Sequence, residues 1–326
     1  MRRIIHTTHS PMSLPRSAHE TLLRLWIRAL TETLGTRADA EHQAKYARRM
    51  ARSMTRADEL RVWPNPRTPR AVVALRRTQS AAFGGPVERV SLIADPIDDP
   101  AMRALPSLLA LLPAPTLTPR LLEPLWSLRG VAEPLQELGY GIDGLSLLGD
   151  VQESVQRCAV DPRVPETRVL NTRELDAMLE LRRLVFHGDQ SPWGWFIGQP
   201  QEHEHRRQRF LEAPAIGRTL HIEGETIGYF CALPNARAMV PNAVGIELAI
   251  HPEFQGRGLG RQLMEAGLYE LDRHSVRYYS GVSARPEVLR MARSFGRVPT
   301  RVMMRVGATT LADDFSAHYP FTTPKR

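Results

Sequence analysis

Apolar positions recur at helical spacing over residues 17–35, where Leu22, Leu23, Leu25, Trp26, Ile27, Leu30 and Leu34 predict an amphipathic helix. A second, basic helix is predicted over 38–52. The run W-P-N-P-R-T-P (Trp63 to Pro69) is a loop that no helix can cross, because proline lacks the N–H and fixes its φ. Short apolar runs at Ala71–Leu75 and Val87–Ala94 predict strands, with Gly84-Gly85-Pro86 turning between them. Helices near 100–112 and 128–138 and a strand at Gly144–Leu148 complete this part. After D-P-R-V-P-E (Asp161 to Glu166) the pattern runs on. It predicts a strand over Thr167–Leu170, a helix capped by Asn171 or Thr172 through about Phe186, and a helix near 203–212. A hairpin follows, R-T-L-H-I-E and T-I-G-Y-F-C-A-L, turning at Gly224-Glu225. Last come a strand at 244–250, a helix at 259–273, a strand near 277–282, a helix near 286–295 and a strand near 300–306.

At 326 residues the chain is expected to form two domains, 1–160 and 161–326, with the Pro-rich stretch between them as linker. A hydrophobic content of 42% is ample for packed cores. No run reaches the ~20 apolar residues of a membrane span, and polar residues follow the opening M-R-R-I-I-H too soon for a signal-peptide core. Cys158 and Cys231 are too few for a disulfide framework and suit the cytoplasm as reduced thiols.

Charge is unevenly distributed. Up to Arg77, sixteen basic residues stand against six acidic ones, a local +10 in a chain of net +8. Such a field attracts nucleic acid, anionic lipid or an acidic protein. It is also what a solvated helix face looks like in a chain whose only lysines are Lys45 and Lys325. No aromatic RNA-binding motif, zinc spacing or helix-turn-helix signature accompanies it.

The chemistry concentrates at Q-G-R-G-L-G, Gln255 to Gly260, between the apolar strand V-G-I-E-L-A-I and a predicted helix. A strand, a glycine loop and a helix together present unpaired amides and the positive end of a helix dipole to an anion. No Gly-Lys-Ser/Thr follows, so the loop is not a Walker loop, and the third glycine of a Rossmann loop is replaced by Arg261. The stretch I-E-L-A-I-H-P-E-F-Q-G-R-G-L-G-R-Q-L-M (Ile246 to Met264) resembles the acyl-coenzyme A loop of the GNAT (Gcn5-related N-acetyltransferase) superfamily. The resemblance implies an α/β (α+β) GNAT fold with a mixed central sheet flanked by helices, the cofactor lying between two splayed strands. It implies acetyl-CoA as acyl donor. Gln255, Gly256, Arg257, Gly258, Leu259, Gly260 and Arg261 would cradle the pyrophosphate, and the backbone of Leu248, Ala249 and Ile250 would meet the pantetheine arm and the acetyl carbonyl.

Leu138-Gly139-Tyr140 is similar to the Leu-Gly-Phe/Tyr that closes the family's last helix, so residues 60–150 are expected to form a second, eroded GNAT-like unit in tandem. Where its coenzyme loop would lie the chain reads D-P-I-D-D-P (Asp95 to Pro100), whose three carboxylates would repel a pyrophosphate.

Acyl transfer to a lysine-like amine must remove a proton with pKa ~10.4, about 4.6 kcal/mol uphill at pH 7. Glu247, charged in the middle of an apolar strand, is the candidate base, with His251 as the alternative. The family's proton-donating Tyr position is Ala292 here, and S-A-R-P (Ser283 to Pro286) replaces the usual Asn. Ser283, Tyr279, Ser294 or water is expected to serve instead, and a thiol leaving group near pKa 8.5 costs only about 2 kcal/mol without help. The acceptor, a small-molecule or peptide amine, is expected to meet H-G-D-Q-S-P-W-G-W-F, with Trp193, Trp195 and Phe196 as apolar contacts. Asp189, Glu202 and Glu204 would hold an ammonium. No metal is implied. Two rivals stand beside acetyl transfer: a transferase using aminoacyl-tRNA, which the basic N-terminal quarter would suit, and a non-catalytic acyl-CoA sensor, which Ala292 would suit. A second copy of the chain is a further candidate partner.

Overall fold

The computed structural model describes residues 15–80, 85–115, 119–158, 167–186, 200–212, 216–235 and 238–307. The chain forms two units: Met1–Ser80, Gly85–Ser146 and Pro299–Arg326 make the first, and Ala81–Gly84 with Leu147–Val298 the second. The boundary therefore falls at 146/147, not at the expected 160/161, and the C-terminal strand leaves the second unit. The physical reason is burial: Val151 and Ser154 are fully buried against second-unit residues, so the residues before 160 already belong to that core, and the expected linker Asp161–Glu166 lies outside the described residues.

The first unit opens with α1 (Arg16–Leu34) and α2 (Ala40–Thr55). Leu22, Trp26, Ala29 and Leu30 form the buried stripe of α1. Asp39 caps α2 by accepting the His42 N–H at 2.7 Å. Then come β1 (Glu59–Trp63), β2 (Ala71–Ser80), β3 (Gly85–Ala94), α3 (Asp99–Ala110), β4 (Arg120–Leu122), a 3-10 turn (Trp126–Val131) leading into α4 (Ala132–Glu137), and β5 (Tyr140–Asp150). β1, β2 and β3 are antiparallel neighbours, β4 runs parallel to β3, and β11 (Val298–Val306) is the antiparallel neighbour of β4. The sequence pattern did not predict β1 or β4. Each places an arginine inward: Arg61 and Arg120 are both 3% exposed, paired with Glu59 and Glu88.

The second unit takes the end of β5 and a short helix α5 (Val151–Val155). It continues with β6 (Thr167–Val169), α6 (Leu175–Phe186), α7 (Pro200–Glu212), β7 (Ile216–Ile222), β8 (Glu225–Pro234), β9 (Ala243–Ile250), α8 (Leu259–Arg273), β10 (Tyr278–Ser283) and α9 (Pro286–Ser294). Its strand order is β5-β10-β9-β8-β7-β6. The β7–β8 turn is at Glu223-Gly224, both with positive φ (53° and 88°), one residue earlier than predicted. One face of the sheet packs Phe230, Val244 and Ile250 against Leu263, Met264 and Leu268 of α8. The other packs Tyr229, Cys231 and Ala249 against Leu175, Met178 and Leu179 of α6 and Phe210 of α7.

Element order repeats: two helices, three antiparallel strands, a helix, a parallel strand, a helix and a strand occur once in each half. The final strands are exchanged, since β4 has β11 beside it and β10 has β5.

Two outcomes follow from this packing. A chain beginning at residue 161 lacks the buried Val151 and the Ser154 hydroxyl that bonds Tyr279 and the Phe295 carbonyl at 2.9 and 2.8 Å. It should lose soluble, cooperatively melting protein, read by circular dichroism. Gly267→Ala gains about 1 kcal/mol of helix propensity, but its Cβ would lie 2.4 Å from the Phe230 ring. Overpacking costs typically 1–3 kcal/mol, so the variant should melt below the wild type.

Candidate active site in the second unit

The parallel register of β10 with β9 joins Tyr278 to Ala243, Tyr279 to Val244 and Ser280 to Gly245, and ends there, while β8 stays paired to β9 through Ile250. Past Gly245 one edge of a central strand is open. The His251 N–H bonds the Ile227 carbonyl at 2.8 Å. By the two-residue alternation of a strand, the Ala249 and Glu247 amides also turn toward β8, and those of Leu248 and Ile250 toward the gap. Of the three backbone positions expected to meet the donor, Leu248 and Ile250 turn their amides to the gap, and Ala249 turns its amide to β8. Residues 245–248 are half-buried in a strand otherwise buried at both ends.

The loop lies at the end of this edge. Gly256 and Gly258 have φ of 76° and 79°, the left-handed region that favours glycine, and a Cβ on either would meet nothing within 4 Å. Gly258 starts α8 with no capping side chain and no acid in the first turn, in contrast to α2, α3 and α5, each capped by an aspartate. Leu259 and Gly260 at the start of α8 thus offer amides without intrahelical partners. Gln255 ties the loop down by donating from Nε2 to the Ile250 carbonyl at 2.9 Å. The arginines differ from expectation. Arg257 donates to the Glu253 carbonyl at 3.0 Å and lies over the Phe254 ring. Arg261 turns from the loop to Glu265 at 3.0 Å and the Ser294 hydroxyl at 3.1 Å, over the Phe295 ring.

Glu247 points to the α6 side of the sheet, on the face it shares with Ala249, as predicted. There it is enclosed. Its Oε1 accepts from Arg182 Nε at 2.7 Å and from the Tyr229 hydroxyl at 2.5 Å, and its Oε2 from Arg206 at 3.0 Å. Burial pushes the carboxyl up, but the Arg182 and Arg206 charges and the Tyr229 and Arg182 hydrogen bonds overcome it and hold it at about 2. Burial and the Glu247 charge push the Tyr229 hydroxyl well up and the Cys231 thiol up to about 12. Taking a proton from an amine near pKa 10.4 would be uphill by about 11 kcal/mol for such a carboxylate. Glu247 is where the resemblance put it, and the two guanidiniums that hold it ionised make it a weak acceptor for a proton.

Tyr279 is fully buried, its hydroxyl bonds Ser154 at 2.9 Å, and Gly149 passes so close that a Cβ there would lie 2.4 Å from the ring. It is a core residue. Ser283 sits half-buried at the end of β10, its Oγ accepting the Arg285 N–H at 3.2 Å. Ala292 is 1% exposed within α9, and the Ser294 hydroxyl is bonded to Arg261. Asp189, Trp193, Trp195 and Phe196 lie outside the described residues, as does the Glu202 side chain. Glu204 is exposed and accepts from Gln208. Among the described residues no group of His, Cys, Asp and Glu could hold a metal, and no helix is long and apolar enough to cross a membrane.

Sequence reasoning missed Arg182, Arg206 and Tyr229. Arg182 carried a signal, since it falls seven residues after Leu175 and four after Met178, on the apolar stripe of α6. A cation there needs a buried anion. Arg206 sits in an almost wholly polar helix and carried none.

In the first unit the segment between β3 and α3 is closed by its own side chains. Asp98 caps α3 by accepting the Ala101 N–H at 3.2 Å and pairs with Arg70, and Asp95 pairs with Arg28. The carboxylates do more than repel an anion: one holds the helix terminus, and arginines neutralise both.

The amides of the glycine loop thus lie at the mouth of two parting parallel strands. Residues 176–296 match the model of the acetyltransferase (GNAT) family. Over 93% of this chain the fold is similar to a GCN5-related N-acetyltransferase from Sphaerobacter thermophilus, at 15% identity, 94% of that chain and a TM-score of 0.51. It is also similar to the glucosamine N-acetyltransferase region of a fungal multi-domain beta-N-acetylglucosaminidase. That match has 11% identity, covers 93% of this chain and 38% of that one, and gives a TM-score of 0.52. At such identities the likeness is one of fold. No curated protein matches the sequence.

The Glu247 carboxyl has a measurable acid signature. Its native value of about 2 lies below the ordinary 4.5, so folding favours the ionised form. That contribution, on the order of 3 kcal/mol, is present above about pH 4.5 and is lost as pH falls toward 2. Urea unfolding of wild type and Glu247→Gln at about pH 6 and about pH 3 should show the stability gap between them narrowing at the lower pH.

Proposed function

We propose that the second unit binds acetyl-CoA and transfers its acetyl group to a primary amine by direct attack. The observation that carries this reading is the open loop Gln255–Gly260 at the end of the unpaired edge of β9. The pyrophosphate would lie on the Gly256–Gly260 amides, with the pantetheine arm along the edge. The thioester carbonyl would take a hydrogen bond from the Leu248 amide. A neutral amine attacks that carbon, and the tetrahedral intermediate collapses by breaking the C–S bond. The proton that the attacking nitrogen loses passes to the departing thiolate, relayed by water or by the Ser283 hydroxyl, which gives up one proton and takes back another. We read the first unit as a GNAT-like partner without a donor site, supported by the repeated element order and by the capping of α3 by Asp98. Reduced Cys158 and Cys231, both free, support a cytoplasmic location. A second reading, an acyl-CoA-binding regulator, is favoured by one observation: the family's Tyr position is the buried Ala292.

Calorimetry with acetyl-CoA, followed by thiol release across amines and peptides, tests both. Absence of affinity for any acyl-CoA would sink the first reading and the second together; binding without turnover would leave the second. Gly258→Glu should separate the site from the fold. Its side chain has room, although φ of 79° adds strain. A carboxylate ~4 Å from the diphosphate costs ~4 kcal/mol at an effective dielectric near 20. Donor affinity should fall about a thousandfold while the protein still melts cooperatively.

A further inference from the structure

We propose that the first unit carries a ligand site of its own, a cleft between α1 and the β3–α3 junction that takes a small organic anion: a phosphate or carboxylate on an apolar body. The cleft has a volume of about 270 Å³ and is lined by Arg24 and Arg28 of α1, Arg70 just before β2, and Asp95 and Asp98. All of them belong to the first unit. In α/β sheets, ligands gather outside the carboxyl ends of strands, and β3 ends at Ala94, directly before this junction. The β3–α3 junction also holds, in the element order of its unit, the place that β9–α8 holds in the second. The volume lies just below the ~300–1,000 Å³ of small-molecule sites, so the cleft suits a compact ligand rather than a coenzyme.

The charges decide what kind of ligand. Three guanidiniums meet two carboxylates, which leaves one cation in excess. Both carboxylates are sheltered, at 19% and 14% side-chain exposure, and each is engaged at both oxygens. Asp95 accepts the Ile97 N–H at 3.2 Å through Oδ1 and Arg28 through Oδ2. Asp98 accepts the Ala101 N–H at 3.2 Å through Oδ1 and Arg70 Nε at 2.7 Å through Oδ2. Arg24 is the cation in excess: among the described residues it pairs with no carboxylate and donates to the Thr21 hydroxyl at 3.3 Å. It stands one turn from Arg28, and like charges at that spacing destabilise a helix. A bound oxyanion would offset the repulsion. A guanidinium is a planar fork of N–H donors that matches phosphate and carboxylate oxygens, and most of the N–H groups of Arg24 and Arg28 are left over once Thr21 and Asp95 are served. Leu25 and Pro69 supply an apolar part of the wall. An inorganic ion leaves that wall wet, whereas an anion with an apolar body covers it.

Calorimetry on the full chain at low ionic strength, with inorganic phosphate, phenyl phosphate and benzoate, tests this. The glycine loop of the second unit also attracts phosphate, so the titrations are run on the wild type and on Gly258→Glu, each with and without Arg24→Met. In Gly258→Glu one saturable site should remain, with phenyl phosphate about tenfold tighter than inorganic phosphate. The comparison of phenyl phosphate with benzoate tells which oxyanion the cleft prefers. Arg24→Met should weaken the preferred probe about tenfold or more in either background, while the protein without ligand melts no lower than before, because a repulsion is removed. Arg24→Lys should keep part of the affinity. Binding that vanishes in Gly258→Glu and survives Arg24→Met would put the anion on the loop and overturn the proposal. So would the absence of saturable binding of either organic probe at millimolar concentration. The result stands apart from acetyl transfer, since neither outcome depends on what the second unit does.

Discussion

Two parallel strands that stay paired for three residues and then part leave a central strand with one edge unbonded. Backbone amides are obligatory hydrogen-bonding groups, so such an edge persists only where the surrounding structure holds it open. In the second unit, α8 packs Leu263, Met264 and Leu268 under Val244 and Ile250 on one face, and α6 packs Met178 and Leu179 under Tyr229 and Ala249 on the other. Both faces of β9 are thereby fixed while its edge beyond Gly245 is not. The loop at Gln255 and the first turn of α8 extend the row of donors from that edge. A ligand that is peptide-like in its middle and anionic at its end matches this row.

The two charged features of β9 act in different ways. The loop uses no side-chain charge at its centre: its donors are amides, and Arg257 and Arg261 both bond to the protein. Glu247 sits on the opposite face with its charge balanced by guanidiniums. A buried ion pair adds little stability relative to an apolar replacement, yet removing one partner is costly because the other is left uncompensated. The arrangement therefore specifies geometry more than it stabilises.

Much of this was legible in the sequence. The apolar runs of β2, β3, β8 and β9 and the stripes of α1, α6 and α8 gave their own positions, because burial alone selects those residues. The donor loop was legible because glycine at positive φ has few substitutes. Several of the misses share one cause, the inward arginine. β1 reads E-L-R-V-W and β4 reads R-L-L, so Arg61 and Arg120 break the alternation that marks a strand; Arg61 is paired with Glu59 two residues before it, and Arg120 with Glu88 of β3, which sequence spacing does not reveal. Arg182 repeats the pattern on α6, and with it went the true environment of Glu247. Tyr279 misled in the opposite sense: a hydroxyl near the site in sequence is, in space, a core group bonded to Ser154. The domain boundary failed because a proline-rich stretch looks like a linker whether or not the residues just before it are core.

The exchange of final strands has a consequence for how the protein is made. A ribosome delivers β4 long before β11, and between them it synthesises the whole second unit. Until the last strand emerges, the Arg120–Leu122 edge has no antiparallel neighbour. The nascent first unit must wait with an open edge through the synthesis of more than half of the chain, the condition under which chaperone capture or mispairing competes with folding. The unit that appears first is thus the one that finishes last.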